Sequence, residues 1–267
     1  MLDLVIFTGH PTSYAPVRFS EEAFLQGLAL QIVDYDDVDL ENLPDTKYVI
    51  LREPDASKNL YGLRDKILRY YLSTNSFVLN ANSYLEWSVF DKITQHIEFQ
   101  KIDIPHLTLL KLELAKYPFI AKAKLGSHGS HVYKITCKKD LDNVLENYKK
   151  EDLLFQEFQN SGFDLRVIVL GGKVLGIMKR TPKAGNFLSN YSQGGSIDKY
   201  EGRDKADIEK ISMQAAACFK LDYCGVDLMK GNDGEWKVLE VNRACQFQGF
   251  EKAIKVNVAK EVLKFLK

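Results

Sequence analysis

Over the first eighty residues, short apolar runs alternate with amphipathic stretches. Leu2–Thr8 has the composition of a buried strand, and residues 9–16 that of a polar loop. Phe19, Ala23, Leu25 and Leu28 recur at helical spacing within 19–30, and 31–35 returns to strand. The pattern continues with a strand at 48–51, a helix at 60–72 and a strand at 77–80. Strand and helix in this rhythm predict a parallel sheet covered on both faces. Ligands of such sheets bind beyond the carboxyl ends of the strands, which directs attention to the loops after Thr8 and Leu51.

Ser83 and Glu86 have capping-box spacing and predict a helix with Trp87, Phe90, Ile93 and Ile97 inward, ending across 101–105. From 106 to 178 the pattern is largely strand, with one helix at 141–148. Gly171-Gly172, between apolar runs at 165–170 and 173–178, predicts a tight hairpin. Residues 185–196, rich in Gly, Asn and Ser, read as a long loop. A helix at 206–219 turns Ile208, Ile211, Ala215 and Phe219 inward. A second hairpin pairs 225–230 with 235–241 through Gly231-Asn232-Asp233-Gly234, and one closing helix carries Ile254, Val258, Val262 and Leu266.

Composition acts mainly by exclusion. The 267 residues, 45% hydrophobic and 27% charged, fit a folded chain of two or three lobes rather than a disordered one. With 36 Lys+Arg against 36 Asp+Glu, neither nucleic acid nor an anionic membrane is an expected partner. No run approaches the roughly 18 apolar residues of a membrane span, and the N-terminus lacks a signal-peptide layout. Cys137, Cys218, Cys224 and Cys245 show neither CxxC spacing nor a disulfide framework, so a reducing cytoplasm is the expected location.

Three constellations carry candidate chemistry. In the last hairpin, a four-residue turn sets Lys230 opposite Glu235 and Asp227 opposite Val238. Val238, Glu240 and Asn242 then share the face of Asp227. Two carboxylates and a carboxamide on one surface repel unless a hard cation such as Mg²⁺ joins them. The apolar composition of Val238–Asn242 favours that reading over a solvated acidic face. In the second constellation, a strand with Ile120 and Lys122 on one side runs into a loop containing Gly126, Ser127 and Gly129. Such a loop can wrap phosphate with its backbone N–H groups while Lys122 supplies a charge, although alone it reads equally as a hairpin turn with exposed lysines. His128 and His131 lack paired ligands and read as loop and strand-edge residues. In the third, 153–158 carries Gln156, Glu157 and Phe158 on an extended segment that could read the edge of a base or be a plain edge strand.

In order and spacing, these pieces resemble the ATP-grasp ligases, specifically the RimK-type group that joins glutamate-like amino acids to carboxylates. The likeness covers essentially the whole chain. It is carried by Phe90-Asp91-Lys92, the block 120–129, Gln156-Glu157-Phe158, Asp164-Leu165-Arg166 and Lys179-Arg180. It continues through Asn186-Phe187-Leu188-Ser189-Asn190 with Gly194-Gly195, Gly225-Val226-Asp227, Glu240-Val241-Asn242 and Gly249-Phe250-Glu251-Lys252. The resemblance implies an α/β and α+β chain with the ATP-grasp fold. Its parts would be an N-terminal Rossmann-like (pre-ATP-grasp) domain at 1–82, a central lid subdomain at 83–155 and a C-terminal mixed-sheet subdomain at 156–267.

It further implies that ATP lies between the last two. Lys92 and Lys122 would contact its phosphates, under a loop containing Gly126, Ser127 and Gly129. Gln156, Glu157 and Phe158 would meet the adenine, Ile120 and Leu239 would wall the ring, and Asp164 would take the ribose. Ser189 and Asn190 would lie near the nucleotide. Asp227, Glu240 and Asn242 would hold two Mg²⁺ ions, for which Mn²⁺ could substitute. Arg180, with Lys122 the implied catalytic pair, would face the reacting carboxylate; Arg52 and Arg243 complete the substrate set. The implied reaction converts a carboxylate to an acyl phosphate that an amine then attacks. The implied substrate is an amino acid or peptide, and a homo-oligomer follows from the same likeness.

Departures from the family pattern bear on the substrate. Leu188 stands where the group has Arg, and Gln193 where it has a basic residue. Residues 243–249 replace a Ser-Ser-Pro-Gly-Leu-Glu-Gly run. The nucleotide and metal positions match while the acceptor-facing loop does not, and Cys245 in that loop reads as a packing or substrate-lining thiol rather than a nucleophile. The competing reading is a regulatory ATP-binding protein without turnover. A third, a D-alanine or glutathione type of ligase, fits the block 249–252 less well.

Overall fold

In the computed structural model, which describes residues 2–54, 60–124, 131–183 and 195–267, the N-terminal rhythm becomes a parallel sheet. β1 (Leu2–Thr8), α1 (Tyr14–Leu25), β2 (Leu30–Asp34), β3 (Thr46–Leu51), α2 (Tyr61–Ser73) and β4 (Phe77–Val78) follow in turn, with strand order β2-β1-β3-β4. Val5, Phe7, Val49 and Leu51 pack on Ile67, Leu68 and Tyr71 of α2, while Leu4, Ile6 and Ile50 turn to Phe19 and Ala23 of α1. The loop expected at 9–16 is shorter and the helix begins earlier, at Tyr14. Pro16 lies in its first turn, where a missing N–H breaks no helical bond.

The helix expected to open at Ser83 is two helices, α3 (Ala81–Glu86) and α4 (Lys92–Lys101). Asn80, in the left-handed conformation at φ 63°, already starts the first, so Ser83 lies inside it, buried, with its hydroxyl unpartnered. The true cap of the second is Asp91, whose carboxylate accepts the Thr94 N–H at 2.7 Å. The break lets Trp87 and Phe90 pack edge-on to Phe219, at ring distances of 5.3 and 4.8 Å. Ile97, expected inward, is exposed.

The central sheet holds β5 (Leu109–Leu110), β6 (Phe119–Ala123), β7 (Val132–Ile135) and β8 (Leu153–Glu157) in the order β5-β8-β6-β7. α5 (Lys138–Leu145) lies against one face. Phe119, Ala121, Leu153 and Phe155 enter that packed side, so Ile120, Lys122, Leu154 and Gln156 share the other.

The third sheet is built of β9 (Asp164–Leu170), β10 (Lys173–Thr181), β11 (Ser196–Lys199), β12 (Tyr223–Lys230) and β13 (Trp236–Asn242), in the order β11-β10-β9-β12-β13. α6 (Lys205–Cys218) precedes β12. β9 and β10 meet through Gly171-Gly172, both at positive φ (55° and 71°), the two-residue turn expected. One face is apolar throughout: Leu165, Val167, Val169, Val226, Leu228, Val238 and Val241 pack on α6 and Phe99 of α4. The other face is divided. Ile168, Met178 and Tyr223 are covered by Cys245, Phe247 and Phe250, within the core shared with the N-terminal sheet. Beyond them the face is polar.

The last hairpin departs from its expected register. Lys230 pairs with Trp236 rather than Glu235, and a bulge separates Leu228↔Val238 from Asp227↔Glu240. Val238 therefore belongs to the apolar face, not to that of Asp227, and Leu239 is the extra residue. The closing helix is also two: α7 (Gln248–Ile254) and α8 (Val258–Leu266), broken at Lys255 with φ 62° and recapped by Asn257, which accepts the Lys260 N–H. α4 is fastened to the third sheet by Gln95, whose side chain bonds both N–H and C=O of Val241, at 2.8 and 3.1 Å. The chain then crosses to the central sheet, and the Val238 N–H donates to Pro105 O on the way.

Candidate active site between the central and C-terminal sheets

The polar half of the third sheet is laid out in cross-strand rows. Arg166, Asp227 and Glu240 stand opposite one another on β9, β12 and β13, with Gly225 and Asn242 in the adjacent row. Asp227 accepts Arg166 Nε at 2.7 Å and Nη2 at 2.6 Å, and Arg180 Nη2 lies 3.2 Å from its second oxygen. Arg180 Nε donates in turn to Asp164, its partner across β10 and β9. Burial pushes the Asp227 carboxyl up, but the charges of Arg166 and Arg180 outweigh it and hold the group below its usual range. At Gly225 an added Cβ would meet Cys245 Cβ at 2.9 Å, so glycine is what lets the loop after β13 lie this close to the sheet.

Across from this face stands β6. Lys122 is only 7% exposed, and burial draws its ammonium down to about 8. The Glu240 carboxylate pushes it back up, and the Lys92 charge adds to the lowering. Lys92 Nζ lies 3.9 Å from Glu240, and the Lys92 N–H reaches Lys124 O at 3.5 Å, joining the start of α4 to the end of β6. Two lysines from different elements thus converge on one carboxylate between two sheets. Glu240 also accepts the Asn242 amide at 3.1 Å.

Asp227, Glu240 and Asn242 offer hard oxygen donors of the kind Mg²⁺ takes, once the Asn242 amide makes a half-turn to present its oxygen. Among the described residues no group of three or more His, Cys, Asp or Glu could hold a metal ion, so a cation here would rely on the carboxamide.

Residues 91–266 match the family model of the RimK-like ATP-grasp domain. The chain belongs to the RimK-like ATP-grasp family. A probable alpha-L-glutamate ligase of Psychromonas ingrahamii is 27% identical over 298 residues, covering 99% of this chain and 95% of that protein. Another, of Maridesulfovibrio salexigens, is 32% identical over 153 residues, 56% of this chain and 50% of that one. The chain therefore spans about half the length of one relative and nearly all of the other. Among solved structures, the ATP-grasp ligase PsnB, complexed with a phosphomimetic variant of minimal precursor, Mg and ADP, aligns with a TM-score of 0.77. It is 19% identical and covers 100% of this chain and 98% of that one.

Within this RimK-like framework, the expected residues fall into groups. Lys92, Lys122 and Asn242 gather on Glu240, and Arg180 joins Asp227 to Asp164; Arg166, bonded to Asp227 and feeling the Glu240 charge, links the two groups. Ile120 and Gln156 are paired across β6 and β8 on the Lys122 face, and Gln156 Nε2 donates to Leu107 O. Leu239, half-buried, stands at the bulge that re-aims this strand. Glu157 is exposed at the strand end, and the Phe158 ring lies under Lys134 Nζ, 3.8 Å from its centroid. Gly126, Ser127, Gly129, Ser189 and Asn190 lie outside the described residues.

Arg52 and Arg243 are in other hands. Arg52 Nη2 donates to Ala244 O at 2.7 Å. Arg243 gives Nε to Glu53 at 2.8 Å and Nη1 to Trp87 O at 2.6 Å, and its guanidinium lies over Tyr84 and Phe90. Both line a small, barely water-sized cavity with Asn80 and Tyr223, under the carboxyl ends of β3 and β4. Cys245 is buried, donates to Tyr223 OH at 3.1 Å and has its thiol pushed up by burial, which fits the packing alternative of the two expected for it.

Arg166, Glu53 and Asn232 escaped the sequence reading. Arg166 stood inside a quoted motif two residues from Asp164, and period-two alternation would have put both on one face. Glu53 and Asn232 carried no such signal.

Proposed function

We propose that this chain is an ATP- and Mg²⁺-dependent ligase that activates a carboxylate as its acyl phosphate and joins it to an amine. The observation that carries this reading is the meeting of Lys122, Lys92 and Glu240 between two sheets. A buried ammonium drawn down to about 8 gains most when a polyanion enters beside it.

In this reading Lys92 and Lys122 bind the phosphates, and Ile120 and Leu239 hold the base. Backbone groups at Glu157 and Phe158 meet its edge, and Asp164 meets the ribose. Glu240, Asn242 and Asp227 would hold Mg²⁺, as two ions or with Mn²⁺ substituting; bound there, the metal would offset charge on the transferring phosphoryl group. Arg180, steadied by Asp164 and Asp227, orients the reacting carboxylate. Acyl phosphates hydrolyse readily, so the site must also exclude water while the amine attacks.

An amino acid or peptide is the proposed substrate. It is supported by relatives named as glutamate ligases and by the precursor-bound PsnB structure. The replaced run at 243–249 argues for a pair other than the group's usual one. Release of ADP, measured against a panel of amino-acid and peptide carboxylates with amine acceptors, tests the proposal. Turnover that requires one specific pair supports it. ATP binding without stimulated turnover by any pair would favour a regulatory nucleotide-binding protein instead.

A further inference from the structure

The turn between β12 and β13 is tied to the segment that leaves the central sheet. Asn232 Nδ2 donates to Phe158 O at 3.0 Å, and Asn232 Oδ1 accepts the Asn160 N–H at 3.2 Å. The backbone N–H of Asn232 donates to Gln159 Oε1 at 2.7 Å. One residue thus bonds three consecutive residues more than seventy positions away in the chain. Gln159 Nε2 turns back to Glu157, 3.4 Å from its carbonyl oxygen and 3.3 Å from its carboxylate. From the other side, Lys134 of β7 holds the Phe158 ring. The segment is therefore gripped by both sheets, and the same hairpin that grips it carries Asp227 and Glu240 along its strands.

We propose that Asn232 is a positioning residue for nucleobase recognition, holding the Glu157–Phe158 backbone at the spacing that matches adenine. The inference rests on the proposed placement of the base against that segment. A backbone carbonyl and N–H discriminate adenine from guanine only while their separation is fixed, because the two bases present opposite donors and acceptors there. Without the Asn232 carboxamide the segment loses two bonds to the C-terminal sheet and relaxes. Asn232 is exposed, so its replacement removes no core contact.

Steady-state kinetics with ATP and GTP on the full chain test this, alongside melting curves to establish folding. N232A is expected to raise KM for ATP about tenfold and to cut the ATP-over-GTP preference by a similar factor, with kcat at saturating ATP within about twofold. N232D keeps the acceptor for Asn160 but sets an oxygen against Phe158 O, and should lose at least as much. An unchanged preference in both variants, or a loss confined to kcat, overturns the inference. A wild-type chain that neither binds ATP nor prefers it to GTP would instead overturn the functional reading beneath it.

Discussion

Arg166 meets Asp227 directly across β9 and β12, with two parallel bonds of 2.7 and 2.6 Å, and Arg180 reaches the same carboxylate at 3.2 Å. Asp227 is at once a candidate metal ligand and the anchor of two guanidinium groups. The pair fixes the carboxylate in a single orientation, which a free aspartate would not keep.

The pair also sets a stability prediction. R166M leaves a buried carboxylate with Arg180 alone and should cost about 3 kcal/mol in urea denaturation. R166M/D227N removes both charges and should recover much of that loss, which a double-mutant cycle measures. Because the Asp227 pKa is lowered, its share of the stability is full above the ordinary carboxylate range. It disappears as acid carries the pH down through the folded value. Simple additivity of the two single variants would show that the contact contributes nothing.

Lys122 gives the same sign of slope at the alkaline end, as the relief of a cost rather than the gain of a stabilising pair. Its folded pKa, about 8 against an ordinary 10.5, means the unfolded chain binds more protons between those values. Stability should therefore rise with pH across that window, and the cost of the buried ammonium is present in full below it. K122M should abolish the rise, melt no lower than the parent at pH 7, and bind ATP at least about a hundredfold more weakly. Binding ATP at pH 8.5 should also take up protons, seen by calorimetry in buffers of different ionisation heat. Equal uptake by K122M would assign the proton elsewhere.

Much of this was legible in the chain, and the reasons for the rest are specific. The parallel sheet followed from repeated strand and helix periods, and the β9–β10 turn from two glycines. Asp227, Glu240 and Asn242 were correctly gathered on one face, but through a register that does not exist. The real turn pairs Lys230 with Trp236, one residue further on, and the bulge at Leu239 adds another. Two single-residue shifts restore the parity that sorts side chains between faces, so Glu240 and Asn242 kept their place while Val238 changed sides. Ser83 misled because a capping motif is local, whereas the helix start was decided by Asn80, whose side chain bonds Tyr223 and Arg243 far along the chain. Arg243 looked available to substrate because nothing in periodicity reveals that Glu53, Tyr84 and Phe90 close around it.

That enclosure is itself testable. Glu53 receives Arg64 and Arg243, both at 2.8 Å, and both guanidinium groups lie over the Tyr84 ring, at 4.7 and 4.3 Å from its centroid. E53A leaves two buried cations without their shared carboxylate and should destabilise the fold by about 3 kcal/mol. R243K should be destabilising too, since an ammonium cannot bridge Glu53 and Trp87 O while lying flat on Tyr84. In both variants KM for the carboxylate should change less than stability does. A large KM effect in a chain that melts normally would return Arg243 to the substrate.

Glu240 separates metal binding from folding most cleanly. It is half-exposed, it accepts the Asn242 amide, and its charge is what supports the Lys122 ammonium against burial. E240Q preserves shape and removes that charge. Turnover with Mg²⁺ should fall by at least about a hundredfold, since several kcal/mol of phosphoryl charge stabilisation depend on a correctly held ion. The melting temperature should change little. With its supporting carboxylate gone, Lys122 should release its proton at still lower pH, so the alkaline rise in stability begins earlier than in the parent. A variant that keeps its Mg²⁺-dependent rate, or whose stability profile does not move, would show that Glu240 neither holds the metal nor answers to Lys122.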